Sequence, residues 1–281
     1  MSATPAPDAS QPLNLKPVSP PPRRPKPALQ GWKSEYVPAA RADLNLLIMF
    51  HGLGDNMRSF TELAKKMQLP YTAVLVVEGQ IPARREESLD GKRVQLTASV
   101  PLIPNAYMYY PAFDGMFNPL PNPDVSGVLP RFRQLLSTLL GQGWPNANIH
   151  LFGWQHGATL ALELAYSVGR EPLDLPSGKV SRLGSVTAVC GAMASHPDKA
   201  YHYPTPCCFF TRLGPAMDVT QREEGDVERA FEPTTIVRAE AGRGPDMPRS
   251  TEEWAGIMRF WGQVMEKPIA QNMEGVYEVK Q

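Results

Sequence analysis

The chain has 281 residues, with 28 basic and 28 acidic side chains, so its formal net charge is zero. This balance excludes an electrostatic argument for binding nucleic acid or an anionic membrane surface. The sequence has no run of about 18 apolar residues and no apolar signal core, so neither a membrane span nor secretion is expected. A hydrophobic content of 42% is sufficient for one large α/β domain.

Three cysteines are present, Cys190, Cys207 and Cys208, and the last two are adjacent in an apolar stretch. An odd number in this arrangement argues against a disulfide framework and favours a reducing compartment, so we expect a cytoplasmic protein. No group of His, Cys, Asp and Glu residues has the spacing of metal ligands. The glycines at 52 and 54 lack the lysine of a phosphate-binding loop. The sequence therefore predicts neither a metal nor a cofactor.

Proline is concentrated at the N-terminus, where nine of the first 30 residues are proline. A segment with so few large apolar side chains buries too little surface to offset the entropy of ordering it. We therefore predict a disordered tail over residues 1–31, a folded domain over 32–267 and a C-terminal tail over 268–281. Residues 20–27 partly match a proline-recognition ligand, but the full register is missing and a solvated tail is the favoured interpretation.

Buried apolar runs alternate with segments of helical period along the predicted domain. Strands and helices that alternate in this way predict an α/β fold with a mostly parallel, doubly wound sheet and helices on both faces. In chain order the predictions are a strand at 44–50, a helix at 57–67, a strand at 71–77, a helix at 128–140, a strand at 147–152, a helix from about Gly157, strands at 184–189, 206–210 and 234–238, and a helix at 252–265 whose apolar face holds Trp254, Ile257, Met258 and Trp261.

Residues 78–126 have no clean period, and we predict an irregular, lid-like excursion there. This segment contains a group of aromatic residues that includes Tyr107, Tyr109 and Phe113. Two interpretations stay open for them. They form a pocket wall over the ends of the strands, or they only close the core from above.

The segment Gly153-Trp154-Gln155-His156-Gly157 lies between a predicted strand and a predicted helix. Two glycines four residues apart at this junction are typical of the nucleophile elbow, a tight turn that lifts a serine hydroxyl clear of a sheet. The middle residue is Gln155, and no general base can turn an amide into a nucleophile. The pattern therefore predicts that the geometry of the elbow is kept and that its chemistry is lost.

A second glycine-rich turn, His51-Gly52-Leu53-Gly54-Asp55, directly follows the first predicted strand. In an acyl-transfer enzyme, such a turn aims a backbone amide at an oxyanion. We assign this backbone role to Leu53 and His156, and we regard His51 and Trp154 as candidate pocket residues. The alternative is a plain connection between a strand and a helix.

These two motifs carry a resemblance to a known family. The turn at residues 51–55 resembles the His-Gly-Leu-Gly-Asp motif of the phospholipase/carboxylesterase family of α/β-hydrolases, which includes the acyl-protein thioesterases. Residues 153–158 stand where that family has Gly-Phe-Ser-Gln-Gly-Gly. The resemblance covers residues 40–265 and implies the α/β-hydrolase fold, with hydrolysis of carboxylic esters or thioesters as the ancestral chemistry.

The chain departs from the family at all three positions of the catalytic triad. Gln155 stands in place of the nucleophilic serine. The turn that carries the family's acid reads Thr-Arg-Leu-Gly-Pro and ends at Pro215, with Asp218 shortly after it. The turn that carries the family's base reads Gly-Arg-Gly-Pro, so Pro245 replaces the histidine. The resemblance therefore implies a degenerate triad, because such chemistry needs a hydroxyl, an imidazole and an acid together.

Three hypotheses follow for the function. The first is a catalytically silent scaffold that binds an acyl-type small molecule or a protein partner. The second is a working esterase or thioesterase, for which Asp218, Cys190, His156 or His202 would have to converge. The third is an interaction protein that acts through its proline-rich tail. For the other histidines we expect structural roles, with hydrogen bonds at His51 and packing at His150.

Overall fold

The computed structural model describes residues 14–17, 24–83, 85–89, 92–96, 106–116, 118–120, 123–212, 221–240, 246–268 and 277–280. The strands are β1 Asn14–Pro17, β2 Ser34–Val37, β3 Asn45–Phe50, β4 Thr72–Val77, β5 Ile81–Pro82, β6 Arg85–Leu89, β7 Lys92–Leu96, β8 Tyr107–Met108, β9 Ile149–Trp154, β10 Leu173–Leu175, β11 Gly178–Val180, β12 Ser185–Val189, β13 Cys207–Arg212, β14 Thr234–Ala239 and β15 Tyr277–Lys280. The α-helices are α1 Met57–Met67, α2 Leu129–Gly141, α3 His156–Arg170, α4 Gln221–Ala230 and α5 Thr251–Val264.

Seven strands form the central sheet in the order β14-β13-β12-β9-β3-β4-β2. All neighbouring pairs are parallel except the edge pair of β2 and β4, which is antiparallel. The central strands β3, β4, β9, β12 and β13 are buried on both faces, which is why their sequences are nearly continuous apolar runs. The predicted mostly parallel sheet is confirmed.

Helices cover both faces of this sheet. One apolar core joins the sheet to α2, α3 and α4, and a second core joins the opposite face to α1 and α5. Adjacent residues of a strand point to opposite faces, so Cys207 belongs to the first core and Cys208 to the second. The doubly wound arrangement predicted from the alternation of strands and helices is therefore confirmed.

Parts of the fold differ from the prediction. The sequence pattern showed no sign of the β10–β11 hairpin, and α4 lacks an apolar stripe because its buried residues include Glu224 and Asp226. The predicted buried face of α5 was also wrong at Met258, which is 44% exposed. The stripe of α5 is centred on Ile257 and Trp261 and includes Phe260, so Met258 turns away from the sheet.

The irregular excursion contains the short β5–β8 pair and the β6–β7 hairpin. Tyr109 and Tyr110 are only 3% and 2% exposed, and both belong to the main core. This burial fits the second of the two interpretations, in which the aromatic residues close the core. Tyr107 and Phe113 are half-buried nearby.

Both predicted tails include residues with defined contacts. Arg24 donates from Nη1 to the carbonyl of Gly143 at 3.0 Å, and the backbone of Ala28 pairs with the Gln142 side chain. Packing against the end of α2 thus begins before the predicted boundary at residue 32. Strands β1 and β15 pair antiparallel, one from each predicted tail. The rest of the predicted tails, at residues 1–13, 18–23, 269–276 and 281, lies outside the described residues.

A buried polar cluster fixes the start of the sheet to the end of α5. The side-chain oxygen of Asn45 accepts hydrogen bonds from the backbone of Glu266 at 2.9 Å and from Asn148 at 3.3 Å. The His150 ring lies 2.8 Å from Ser185 Oγ and 3.3 Å from Asn45 Oδ1. The structure therefore places His150 at the amino end of β9, as a packed residue of the sheet.

Candidate functional site

The turn between β9 and α3 has the sharp backbone geometry of a nucleophile elbow. Gln155 has φ 48° and ψ −114°, in a left-handed region that non-glycine residues rarely occupy. Its N–H donates to the Val189 carbonyl at 2.8 Å, and its carbonyl accepts from Ala158 and Thr159 at 2.9 and 3.0 Å. These bonds hold a conformation that costs on the order of 1–3 kcal/mol.

Close backbone approach explains the two glycines of this turn. A Cβ atom at Gly153 would lie 2.1 Å from the carbonyl oxygen of Gly157. A Cβ atom at Gly157 would lie 2.5 Å from the carbonyl oxygens of Phe50 and His51. The elbow therefore packs directly on the end of β3, where the second glycine-rich turn begins.

Side chains of the elbow cover that second turn. A Cβ atom at Gly52 would lie 2.7 Å from the Trp154 ring and 3.3 Å from Gln155 Oε1. The Trp154 ring also stacks on Phe60 of α1, with centroids 6.5 Å apart. The protein thus places its own indole and carboxamide against the turn that carries Leu53.

His51 supports this turn through both of its ring nitrogens. Nδ1 lies 2.8 Å from the Gly52 carbonyl, and Nε2 accepts from the Gly79 N–H at 3.0 Å. The side chain is fully buried, and burial lowers the pKa of His51. The imidazole is therefore neutral with Nδ1 protonated, which is a structural role and leaves no nitrogen for proton transfer.

His156 follows Gln155 and is packed away beneath the aromatic segment. Its ring stacks on Tyr110 with centroids 3.6 Å apart, and its side chain is 8% exposed. Neither ring nitrogen has a hydrogen-bond partner among the residues that the structure describes. Burial lowers the pKa of His156 to about 3, so the imidazole is neutral and a weak proton acceptor at neutral pH.

The predicted pocket residues of the aromatic segment also brace the glycine turn. Tyr109 Oη donates to the Val77 carbonyl at 2.7 Å and accepts from the His51 N–H at 2.9 Å. The backbone of Tyr107 bonds to Gly54 and Asp55. Phe113 packs against a small separate cluster that includes Ala106 and Met108.

Residues 213–220 and 241–245 lie outside the described residues, and they include Pro215 and Pro245, which the sequence predicts in place of the acid and the base, as well as Asp218. An ion pair joins the described segments that flank these residues in the sequence. Arg212, at the end of β13, donates to both carboxylate oxygens of Glu253 at 2.7 and 2.8 Å. These bonds lower the pKa of Glu253 to about 2. Sequence reasoning missed this pair, although an arginine ending an apolar strand was a usable signal.

Cys190 is the thiol among the predicted substitute residues. It directly follows β12 with φ 51°, and it is 5% exposed. Its Sγ lies 3.6 Å from the Asp246 carbonyl. A Cβ atom at the following Gly191 would lie 2.2 Å from the Gln155 carbonyl, so this segment packs tightly on the turn.

The remaining histidines lie at opposite ends of the sheet. His202 precedes β13, at the amino end of the strands, and lies 3.4 Å from Glu232. The structure thus separates it from Gln155. His196 follows β12 at the carboxyl end, where Nδ1 lies 2.6 Å from the buried Asp226. His196 also lines a cavity of about 210 Å³ that contains Tyr110 and Thr159.

Within the described parts of the chain, no group of three or more His, Cys, Asp or Glu side chains is arranged to hold a metal ion. Among the helices in those ranges, none has the length and apolar character needed to cross a membrane.

The parallel sheet, its helices on both faces and the elbow after β9 define an α/β-hydrolase fold, as predicted. A carboxylesterase from Bacillus cereus matches with a TM-score of 0.56 and 12% identity, over 84% of this chain and 96% of that one. An acyl-protein thioesterase 2 from Zea mays matches with a TM-score of 0.53 and 15% identity, over 82% and 97%. At identities this low, these structural matches show a shared fold and no more.

Two curated proteins are similar in sequence. An uncharacterized hydrolase of Mycosarcoma maydis is 28% identical over 236 residues, which are 83% of this chain and 81% of the relative. An uncharacterized hydrolase of Schizosaccharomyces pombe is 25% identical over 210 residues, which are 75% and 79% of the two chains. No protein-family model matches the chain.

Proposed function

We propose that this α/β-hydrolase-fold protein does not hydrolyse esters or thioesters and acts as a scaffold that binds an acyl-type small molecule or a protein partner. Gln155 carries the proposal. It occupies the position and the strained backbone conformation of a nucleophile, yet a carboxamide has no hydroxyl or thiol to attack a carbonyl carbon. A cytoplasmic location is part of the proposal, since the three cysteines are free and buried.

The surroundings of Gln155 support the same conclusion. Of the imidazoles near the elbow, His51 uses both nitrogens to hold its turn, and burial lowers the pKa of His156 to about 3. Arg212 and Glu253 join the segments beside the two turns that carry the acid and the base in the family. The sequence places Pro245 at the position of the base.

A second candidate function, hydrolysis by substitute residues, is favoured by one observation. His196 lies 2.6 Å from the buried carboxylate of Asp226, and such a carboxylate orients the base of a catalytic triad. This pair lies at the carboxyl end of the strands, as does Cys190. A hydrolase would need these residues to act on one carbonyl group.

The experiment compares hydrolysis of a short-chain p-nitrophenyl ester and of an acyl thioester by wild type, Gln155→Ala and Gln155→Ser. We expect all three at the same background rate, because Pro245 cannot act as a base for the introduced serine. Weak turnover alone does not argue for the second candidate, since binding and oxyanion stabilisation leave about 10³–10⁴-fold over water in triad-deleted proteases. Turnover that Cys190→Ala or His196→Ala abolishes would establish the second candidate.

Binding is tested separately with a non-hydrolysable analogue of the acyl thioester, in which a thioether replaces the thioester group. Trp154 covers the Gly52 turn, so a ligand that enters this turn should change indole emission. Trp154→Phe is the matched control, since it removes this reporter and leaves the other tryptophans in place. A change in emission that persists in Trp154→Phe would show that the ligand binds elsewhere. If the ligand does not bind at all, the proposal is reduced to a scaffold for a protein partner.

A further inference from the structure

A cavity of about 680 Å³ lies between α2 and α3, apart from the elbow. This volume falls within the roughly 300–1,000 Å³ of typical small-molecule sites. Its apolar lining comes from Val125, Leu129 and Pro130 on one side and from the ring of Tyr166 on the other. A ligand with an apolar body of modest size therefore has a surface to pack against.

Two arginines lie at one end of this cavity. The guanidinium of Arg170 lies 5.7 Å from the centre of the Tyr166 ring, and no described carboxylate is within ion-pair distance of it. Arg133 donates to the backbone carbonyls of Ser167 at 2.8 Å and Glu171 at 2.6 Å, which fixes it at the end of α3. Arg170 thus offers unused donors beside a positioned second cation.

Three acidic residues line the cavity, and one of them, Glu163, is buried and bonded within the protein. Both carboxylate oxygens of the buried Glu163 accept hydrogen bonds from Ser195, at 2.7 and 2.8 Å. Asp124 accepts from the Ser126 N–H at 2.8 Å. Asp124 and Glu171 are both exposed carboxylates at the rim, so both oppose an anionic ligand.

We propose that this cavity binds a small monocarboxylate with an apolar body, whose carboxylate pairs with Arg170 and Arg133. Guanidinium groups bind carboxylates through charge-assisted hydrogen bonds, and the apolar chain then lies against Leu129 and Pro130. A single negative charge matches the cavity, because the rim carboxylates of Asp124 and Glu171 disfavour a dianion. The site is separate from the elbow and does not depend on whether the protein is catalytically silent.

The test is calorimetric titration of the full chain with hexanoate, hexylamine and hexanol, which share one apolar body and differ in charge. We expect hexanoate to bind most tightly. Arg170→Gln should weaken hexanoate about tenfold or more, and Arg170→Lys should recover part of the affinity. Glu171→Gln should tighten binding a few fold.

Arg182→Gln is the matched control, because Arg182 is an exposed arginine outside the cavity, and Gln155→Ala controls for binding at the elbow. Both should leave hexanoate affinity unchanged. Ala194→Trp, which fills the cavity from its exposed edge, should abolish binding without unfolding the protein. The proposal is overturned if hexanoate fails to bind, if hexylamine or hexanol binds as tightly, or if Arg170→Gln and Ala194→Trp both leave affinity intact.

Discussion

Arg212 and Glu253 form a two-point ion pair that joins the end of β13 to the first turn of α5. Arg212 also donates to the carbonyls of Asp246 and Met247 at 3.1 and 3.0 Å, so one guanidinium holds the segment that leads into the helix. Arg212 is also the second residue of the segment that stands in place of the family's acid turn, so the pair ties the start of that segment to α5.

The first prediction concerns the stability of this pair. Glu253→Gln leaves a buried guanidinium without its counter-charge, so we expect the free energy of unfolding to fall by about 3 kcal/mol. Urea denaturation measures it, with Glu252→Gln on the exposed side of the same helix turn as control. A loss below about 0.5 kcal/mol, which is the usual effect of a surface substitution on the free energy of unfolding, would mean that the pair does not hold α5.

The second prediction concerns the brace beneath the glycine turn. Tyr109→Phe removes the acceptor of the His51 N–H and a donor to Val77, so a buried amide is left unsatisfied at a cost of about 2 kcal/mol. Tyr110→Phe is the comparison, since its hydroxyl bonds to the Thr159 side chain and, at 3.3 Å, to the His156 carbonyl, and its removal leaves no backbone N–H without an acceptor. Equal stability losses in the two variants would contradict this account of the turn.

The third prediction concerns pH. Burial lowers the pKa of His150 to about 3, whereas an unfolded histidine titrates near 6.5. Between these values the unfolded chain binds the extra proton, so stability falls as the pH drops through that window. At pH 5 this histidine accounts for a loss of about 2 kcal/mol relative to pH 7.

Urea denaturation at the two pH values checks this contribution. His150→Gln should reduce the pH-dependent loss by that amount, whatever it does to absolute stability, and His202→Gln at the exposed end of the sheet serves as the matched substitution. An unchanged pH dependence in His150→Gln would show that the buried ring is not the source.

The fourth prediction concerns the packing of the elbow. Gly157→Ala places a methyl group 2.5 Å from two backbone carbonyls, which cannot move as a side chain can, so we expect a loss of about 3 kcal/mol or failure to fold. Gly262→Ala on α5 meets nothing within 4 Å and should be neutral or stabilising by about 0.5–1 kcal/mol. Thermal unfolding compares them, and a tolerated Gly157→Ala would mean that the approach of β3 and α3 is looser than described.

The sequence predicted the sheet and its main helices well, because parallel strands buried on both faces leave long apolar runs. Helix α1, for example, has the bounds Met57–Met67 in both prediction and structure. Helix α4 was not predicted, because its buried side chains include polar ones that pair with other polar side chains. Glu224 bonds to Arg238, and Asp226 bonds to His196 and Arg229. Such pairs leave no apolar period in the sequence.

At the candidate site, short sequence motifs predicted only the features formed by residues that are close in sequence. The elbow and the glycine turn were found because each is a short contiguous pattern, and the hydrogen bonds of His51 were expected. The Arg212–Glu253 pair joins residues 41 positions apart. It exists only because β13 ends beside the start of α5, which no short pattern encodes. The cavity between α2 and α3 arises in the same way from packing.

The central claim is that the elbow has lost its chemistry, and the most direct measurement is the rate of acyl thioester hydrolysis by the wild-type protein against Gln155→Ala. An active acyl-protein thioesterase serves as the positive control. The account predicts that the two rates are equal and close to the uncatalysed rate. Saturable wild-type turnover approaching that of the active enzyme would contradict it, and the catalytic residues would then have to be sought at Cys190 and His196.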